Sequence, residues 1–172
     1  MTEIKIHYYK TPIGELIMGS VNNKLCLCDW RYRKMRVAIE SRILKETVGV
    51  FTEGFSPAID QAQTELDEYF MGTRKTFSVP LQLLGSRFQK SVWNEILNIP
   101  FGQTETYLGL ARKLQNPNLT RAVAAANGAN ALAIFVPCHR IIGSNGELTG
   151  YAGGLKAKQF LLNHEDEMRL LF

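Results

Sequence analysis

Apolar and polar residues alternate along the first thirty positions in three runs, Ile4–Tyr9, Leu16–Ser20 and Leu25–Trp30, which is the period of half-buried strands. Turn-forming stretches separate them at Thr11–Gly14 and Val21–Lys24, and Asn22–Asn23 predicts a tight hairpin because asparagine tolerates positive φ. After these strands the period lengthens. A short helix is expected over Met35–Lys45 and a longer one from Ser56 to Met71, where Ile59, Ala62, Leu66, Tyr69 and Phe70 recur at helical spacing. Pro57 stands in its first turn and Gly72 just past its end, where each residue suits a helix boundary. Pro80–Gly85 reads as the crossing between two units.

The second half is helical in pattern. Phe88, Val92, Trp93 and Ile96 form one apolar stripe that stops near Pro100–Gly102. Tyr107–Leu114 predicts a short helix, Gln115–Leu119 a turn containing Pro117, and Thr120 an N-cap for a second helix from Arg121 to about Gly128. Two short helices joined so tightly suggest a helix-turn-helix. Ala133–Val136 reads as a short buried strand running into Pro137–Cys138–His139–Arg140. A loop rich in glycine follows (Gly143, Gly146, Gly150, Gly153, Gly154), then a last helix over Leu155–His164. The fold class is α+β. A small sheet-plus-helix domain is expected over 1–84 and a mainly helical domain with the helix-turn-helix over 85–172.

Composition narrows the setting. With 45% hydrophobic and 21% charged residues, the chain has the balance of a soluble globular protein. The N-terminus is polar and has no apolar segment typical of a signal peptide, and no apolar run approaches membrane-spanning length, so a cytoplasmic location is expected; separately, the chain is expected as a monomer. Three cysteines, Cys26, Cys28 and Cys138, are too few for a disulfide framework and are expected as thiols. Cys26 and Cys28 share one face of a strand, yet His7 is the sole histidine in that half, a poor set for zinc; no metal or cofactor is expected. The first 84 residues carry 11 basic and 10 acidic side chains and the remainder 9 and 6, so the positive excess sits mostly in the second half. That bias permits nucleic-acid binding without requiring it.

The second helix of the helix-turn-helix is unusual for a reader of base sequence. Ala122, Val123, Ala124, Ala125 and Ala126 offer almost nothing that hydrogen-bonds a base edge, whereas an alanine face lets a backbone approach a surface closely. Packing in a core explains the same composition. Arg121 sits in the first turn, against the positive end of the helix dipole, an unfavourable place that suggests use.

Cysteine is a strong nucleophile as thiolate, and its ordinary pKa leaves it mostly protonated at neutral pH. His139 follows Cys138 directly, and Glu165 lies on a helix able to pack back on this segment. A Cys–His–Glu relay lets the imidazole take the thiol proton while the carboxylate fixes its tautomer. Direct contact between Cys138 and His139 needs a turn or a bridging water, since neighbours on a strand face opposite ways. His164 is a rival base at what reads as an exposed helix end. Taken singly, Cys138 is as readily a buried structural thiol, Glu165 a solvated acid, Asn130 a helix C-cap and Tyr107 a half-buried aromatic.

The joint pattern decides. The run Asn127–Gly154, with Val136–Pro137–Cys138–His139–Arg140–Ile141 at its centre and Gly150–Tyr151–Ala152–Gly153–Gly154 after it, closely resembles the O6-alkylguanine-DNA alkyltransferases of the single-protein type. The likeness extends upstream through Phe88–Trp93, Ile99–Gly102, Tyr107 and Arg121–Val123, and downstream through Leu161–Glu165. Thr11–Gly14 and Glu68–Gly72 carry it into the first half, so it spans essentially the whole chain. The resemblance implies a ribonuclease-H-like N-terminal structural domain and a C-terminal domain that binds DNA and accepts the alkyl group. It also implies the activity of a methylated-DNA–protein-cysteine methyltransferase on duplex DNA containing O6-alkylguanine, with O4-alkylthymine as a further substrate.

By that resemblance Cys138 would attack the alkyl carbon, His139 would be the base acting through water, and Glu165 would orient His139. Asn130 would be a hinge between the second DNA helix and the thiol segment. Tyr107 would donate to the flipped guanine and crowd its phosphate. Arg121 would intercalate from the minor groove, with Thr120, Ala122, Ala125 and Ala126 against DNA. Asn127, Ile141, Tyr151, Ala152 and Gly153 would line the base pocket; the carbonyls of Cys138 and Ile141 would meet the base amine and the Ala152 N–H would meet O6. A thioether product offers no good leaving group, so one turnover per molecule follows. Three rivals remain at this level: a damage-binding module, which Cys138 argues against; a helix-turn-helix regulator, which the alanine-rich helix argues against; and a cysteine hydrolase, which would turn over.

Overall fold

The computed structural model describes residues 1–169. These fall into two compact units, one ending at Gly85 and the other beginning at Ser86.

The first unit is built on a four-stranded sheet in the order β3-β2-β1-β4: β1 (Thr2–Thr11), β2 (Gly14–Val21), β3 (Lys24–Trp30) and β4 (Gly49–Glu53). The three strands legible from alternation pair antiparallel, with Asn22 and Asn23 both at positive φ in the hairpin, as a type I′ turn requires. The fourth has no counterpart in the sequence reading. It pairs parallel to β1 after α1 (Arg36–Thr47), and its five residues alternate too weakly to register as a strand. Helix α2 (Pro57–Met71) starts where Ser56 accepts the Ile59 N–H at 3.2 Å and stops at Gly72, which takes the left-handed conformation. Its buried stripe, Ile59, Ala62, Leu66 and Tyr69, packs on β2 and β3. The segment from Pro80 does more than cross between units. Leu25 N–H donates to Pro80 O and Gln82 N–H to Leu25 O, both at 2.8 Å, so the segment covers the free edge of β3.

The second unit opens with α3 (Arg87–Leu97), whose start is a capping box between Ser86 and Gln89. Its stripe of Val92, Trp93 and Ile96 is buried, and Trp93 Nε1 donates to Ala126 O at 2.8 Å, tying α3 to the helix-turn-helix. That motif is α4 (Tyr107–Lys113), a 3₁₀ turn at Pro117–Leu119, and α5 (Thr120–Gly128). Thr120 is not the cap expected of it. The 3₁₀ turn runs straight into α5, so Thr120 is already helical and its hydroxyl donates to Pro117 O at 2.8 Å.

The expected strand Ala133–Val136 is also absent. The run is buried, but as a compact turn: Ile134 has φ +72°, and Val136 N–H donates to Leu132 O at 2.8 Å. Apolarity shows that a segment is buried and leaves its conformation open. A two-stranded parallel pair, β5 (Glu105–Thr106) with β6 (Ile141–Ile142), and the long α6 (Leu155–Arg169) complete the unit. Helix α6 runs past His164, which brings Glu165 into mid-helix.

Candidate active site

The thiol sits on a backbone corner. Pro137 adopts φ −79° and ψ 63°, an inverse γ-turn that lets Cys138 N–H reach Val136 O at 2.7 Å. Cys138–His139–Arg140 then form a 3₁₀ turn, closed by Ile141 N–H onto Cys138 O. Consecutive side chains in such a turn no longer point to opposite faces, so Cys138 and His139 escape the strand geometry that would part them. Asn130 holds the approach in place. Its Nδ2 donates to Val136 O and its Oδ1 accepts from Leu132 N–H, both at 2.9 Å, so a buried amide satisfies two backbone groups that no strand serves.

His139 is completely buried, and its Nε2 lies 2.7 Å from Glu165 Oε1. Burial lowers the imidazole pKa, Glu165 opposes that effect, and Arg140 and Lys158 reinforce it. Burial would raise the Glu165 carboxyl, yet His139 and Arg140 outweigh it and hold the group well below the usual carboxylate range. The state that follows is a neutral imidazole donating Nε2–H to an ionised carboxylate. Its other nitrogen, Nδ1, is buried with no hydrogen-bond partner among the described residues and so carries a lone pair fit to accept a proton.

Two buried cations complete the cluster, and the sequence reading assigns neither a functional role. Arg140 binds Glu165 through Nε to Oε2 and Nη2 to Oε1, both at 2.9 Å. Lys158, with no exposed surface, donates through Nζ to Ile141 O at 2.5 Å and Gly150 O at 3.1 Å, joining the thiol turn to the glycine-rich loop. Burial lowers its pKa, and the charge of Cys138 works the other way. Their signal was positional. Arg140 interrupts an otherwise apolar run, and Lys158, Leu161 and Glu165 fall on one stripe of α6, where a charged residue has to be buried and paired.

The remaining candidates divide by exposure. Tyr107 is half-buried at the start of α4, and its Oη accepts from Thr149 Oγ1 at 3.3 Å on the glycine-rich loop. Tyr151 stands edge-on to His139 with ring centroids 6.5 Å apart, and Ala152 and Gly153 are half-buried beside it in sequence. Arg121, Ala122 and Ala125 are exposed on α5, and Thr120 half-buried. Ala126, placed against DNA by the sequence reading, is buried with its carbonyl held by Trp93, so the exposed small face is Ala122, Ala124 and Ala125. Asn127 is buried at the end of the same helix, its Oδ1 without a hydrogen-bond partner among the described residues. The carbonyls of Cys138 and Ile141 already hold protein donors, which leaves each a second lone pair. His164 stacks on Phe160. Among the described residues no group of three His, Cys, Asp or Glu side chains is placed to hold a metal ion.

Comparison with known proteins fixes the family. The model of the 6-O-methylguanine DNA methyltransferase DNA-binding domain matches residues 87–167, and that of the ribonuclease-like domain of the same proteins matches residues 4–83. The constitutive methylated-DNA–protein-cysteine methyltransferase of Bacillus subtilis is 41% identical over 93% of this chain and 96% of its own. The chain belongs to the methylated-DNA–protein-cysteine methyltransferase family. The Methanosarcina acetivorans protein of that name is 40% identical over 91% of this chain and 95% of its own. Among solved structures, Mycobacterium tuberculosis OGT in complex with DNA superposes with a TM-score of 0.82 at 34% identity, covering 96% of this chain and 94% of that one. No helix among the described residues of this methyltransferase-family chain is long and apolar enough to cross a membrane.

Proposed function

We propose that this protein repairs DNA by irreversible transfer of the alkyl group from O6 of guanine in duplex DNA to the sulfur of Cys138. The observation that carries the reading is the buried 2.7 Å pairing of His139 with Glu165, one residue from the thiol. His139 Nδ1 takes the thiol proton through a bridging water. The sulfur attacks the alkyl carbon in line, the S–C bond forms as the C–O6 bond breaks, and the electron pair leaves on guanine, which then takes up a proton. Negative charge develops over the base in the transition state, and donors from Tyr107 and the Ala152 N–H stabilise it there. The product thioether has no good leaving group, so each molecule acts once.

The base must leave the stack before the sulfur reaches it, which costs roughly a few kcal/mol. The exposed alanine face of α5 admits the duplex backbone closely on the minor-groove side, and Arg121 fills the space the base vacates. In this reading the C-terminal unit binds DNA and accepts the alkyl group, while the N-terminal, ribonuclease-H-like unit is structural. The site needs no metal or cofactor. Three free cysteines suit a cytoplasmic location, where thiols stay reduced.

The test is to mix the protein with duplex DNA bearing O6-methylguanine and weigh the peptide that contains Cys138. One methyl increment on that peptide, one transfer per protein molecule and restored guanine are the expected result. Tight binding with no mass change overturns the transfer and leaves a damage-binding module.

A further inference from the structure

Two buried side chains, His139 and Arg140, hold Glu165, and only the first belongs to the relay. Arg140 grips the same carboxylate with a two-pronged contact, while its remaining nitrogen, Nη1, donates to Ile99 O at 2.6 Å. Oε1 is therefore shared between guanidinium and imidazole. The charge of a buried carboxylate draws a proton onto a facing imidazole, against the cost of burying the charged ring. The resulting imidazolium carries N–H on both nitrogens and has no lone pair with which to take another proton. We propose that Arg140 is a positioning residue that neutralises Glu165 and so keeps His139 in its neutral, proton-accepting form.

The proposal rests on the reading of His139 as the base for Cys138. The charged groups facing the imidazole are Glu165 and Lys158 from α6 and Arg140 from its own turn; Cys138 adjoins it and the Tyr151 ring stands edge-on. Of these, Glu165 alone draws a proton onto the ring, while burial and the two cations oppose it. A guanidinium only donates, so both Glu165 oxygens act as acceptors, and His139 must present Nε2–H to Oε1. That choice leaves Nδ1 as the free lone pair. One side chain thus sets both the charge and the tautomer of the base without touching the substrate.

Arg140→Gln keeps hydrogen-bond donors near Glu165 and removes the charge, Arg140→Met removes both, and Arg140→Lys keeps the charge without the fork. Nitrogen-15 spectra of the His139 ring, recorded without DNA from about pH 5 to 9, follow its titration directly, since imidazole changes charge in this window. In the Gln variant the His139 midpoint is expected to rise. The transfer rate at neutral pH then falls about tenfold for each unit by which the midpoint passes above the assay pH, and recovers in alkaline buffer. The Lys variant keeps the wild-type midpoint. An unmoved midpoint in the Gln variant, or a rate loss equal at every pH, overturns the proposal. If the Gln and Met variants do not fold, the Lys variant decides: a wild-type midpoint supports the charge role and a raised one overturns it. Failure of all three to fold assigns Arg140 to structure alone and also overturns it. The spectra require no transfer, so wild-type protein that never takes a methyl group sinks the acceptor reading instead.

Discussion

Two places in this molecule bury a thiol, a carboxylate and a pair of arginine or histidine partners, and they are built to opposite ends. At the end of β3, Cys26 and Cys28 lie on one strand face among apolar side chains, and Asp29 follows with no exposed surface. Burial pushes the Cys26 thiol up to about 12; burial and then the Asp29 charge push Cys28 well above its ordinary value. Asp29 accepts from Arg33 at 3.0 Å and Arg36 at 3.3 Å, yet burial outweighs both and its pKa is raised. In the thiol turn of the second unit, Cys138 is equally buried, but the nearby charge is that of Lys158, and the carboxylate is held off behind an imidazole and a guanidinium. Burial among apolar groups, with a carboxylate beside Cys28, thus favours the protonated thiol at the end of β3. The sign and placement of the surrounding charge decide whether a buried thiol can ionise.

The sharpest way to break this contrast is to exchange the thiols. Cys138→Ser is expected to abolish alkyl transfer, while Cys26→Ser and Cys28→Ser leave it at one methyl per molecule, all read from the masses of the cysteine-containing peptides. Methyl found on either β3 cysteine would show that neighbouring charge does not select the acceptor.

How far the sequence reached this point depends on the kind of signal. Helix α2 was legible because its ends carry local chemistry, Ser56 with Pro57 at one and Gly72 at the other. The paired strands were legible because alternation is a local property. Strand β4 was not, since its partner β1 lies more than forty residues away and pairing of that kind leaves little local trace. The turn before Cys138 reads as a strand because nothing in Ala133–Val136 announces that Asn130 will satisfy its backbone. The relay residues His139 and Glu165 came from the pattern around Cys138. Arg140 and Lys158 are not legible, because their buried partners, Glu165 and the carbonyls of Ile141 and Gly150, are set by the fold and leave little local trace.

A smaller effect sharpens the contrast from the carboxylate side. Glu165→Ala removes the group that orients His139 and leaves Arg140 buried without its anion. Single-turnover transfer is expected to fall about 10²–10⁴-fold, the usual weight of a general base. Breaking a buried pair from one side costs about 3–5 kcal/mol, which urea unfolding followed by Trp93 fluorescence measures in a Trp30→Phe background. Loss of stability with an undiminished rate would leave Glu165 a purely structural acid like Asp29.

The smallest expected effect is also the most direct comparison, because the two carboxylates respond to pH with opposite sign. The folded pKa of Glu165 is depressed, so its contribution to stability is complete above the unfolded value of about 4.3 and is lost as pH falls toward the folded one. His139 acts in the same direction: it is neutral when folded, whereas the unfolded imidazole gains a proton below about 6.5, so acid again favours unfolding. Asp29 is raised. Its contribution is complete below the unfolded value of about 3.9 and declines as pH rises through the folded one. Urea midpoints taken from neutral to acid pH should therefore fall for Trp93, in the second unit, more steeply than for Trp30, which adjoins Asp29, each read in a chain with the other tryptophan changed to Phe. The raised carboxyl partly offsets acid loss around Trp30, whereas the relay adds to it around Trp93. Midpoints that fall in parallel would mean that the charges around the thiol turn are no more tightly coupled to its fold than Asp29 is to the end of β3.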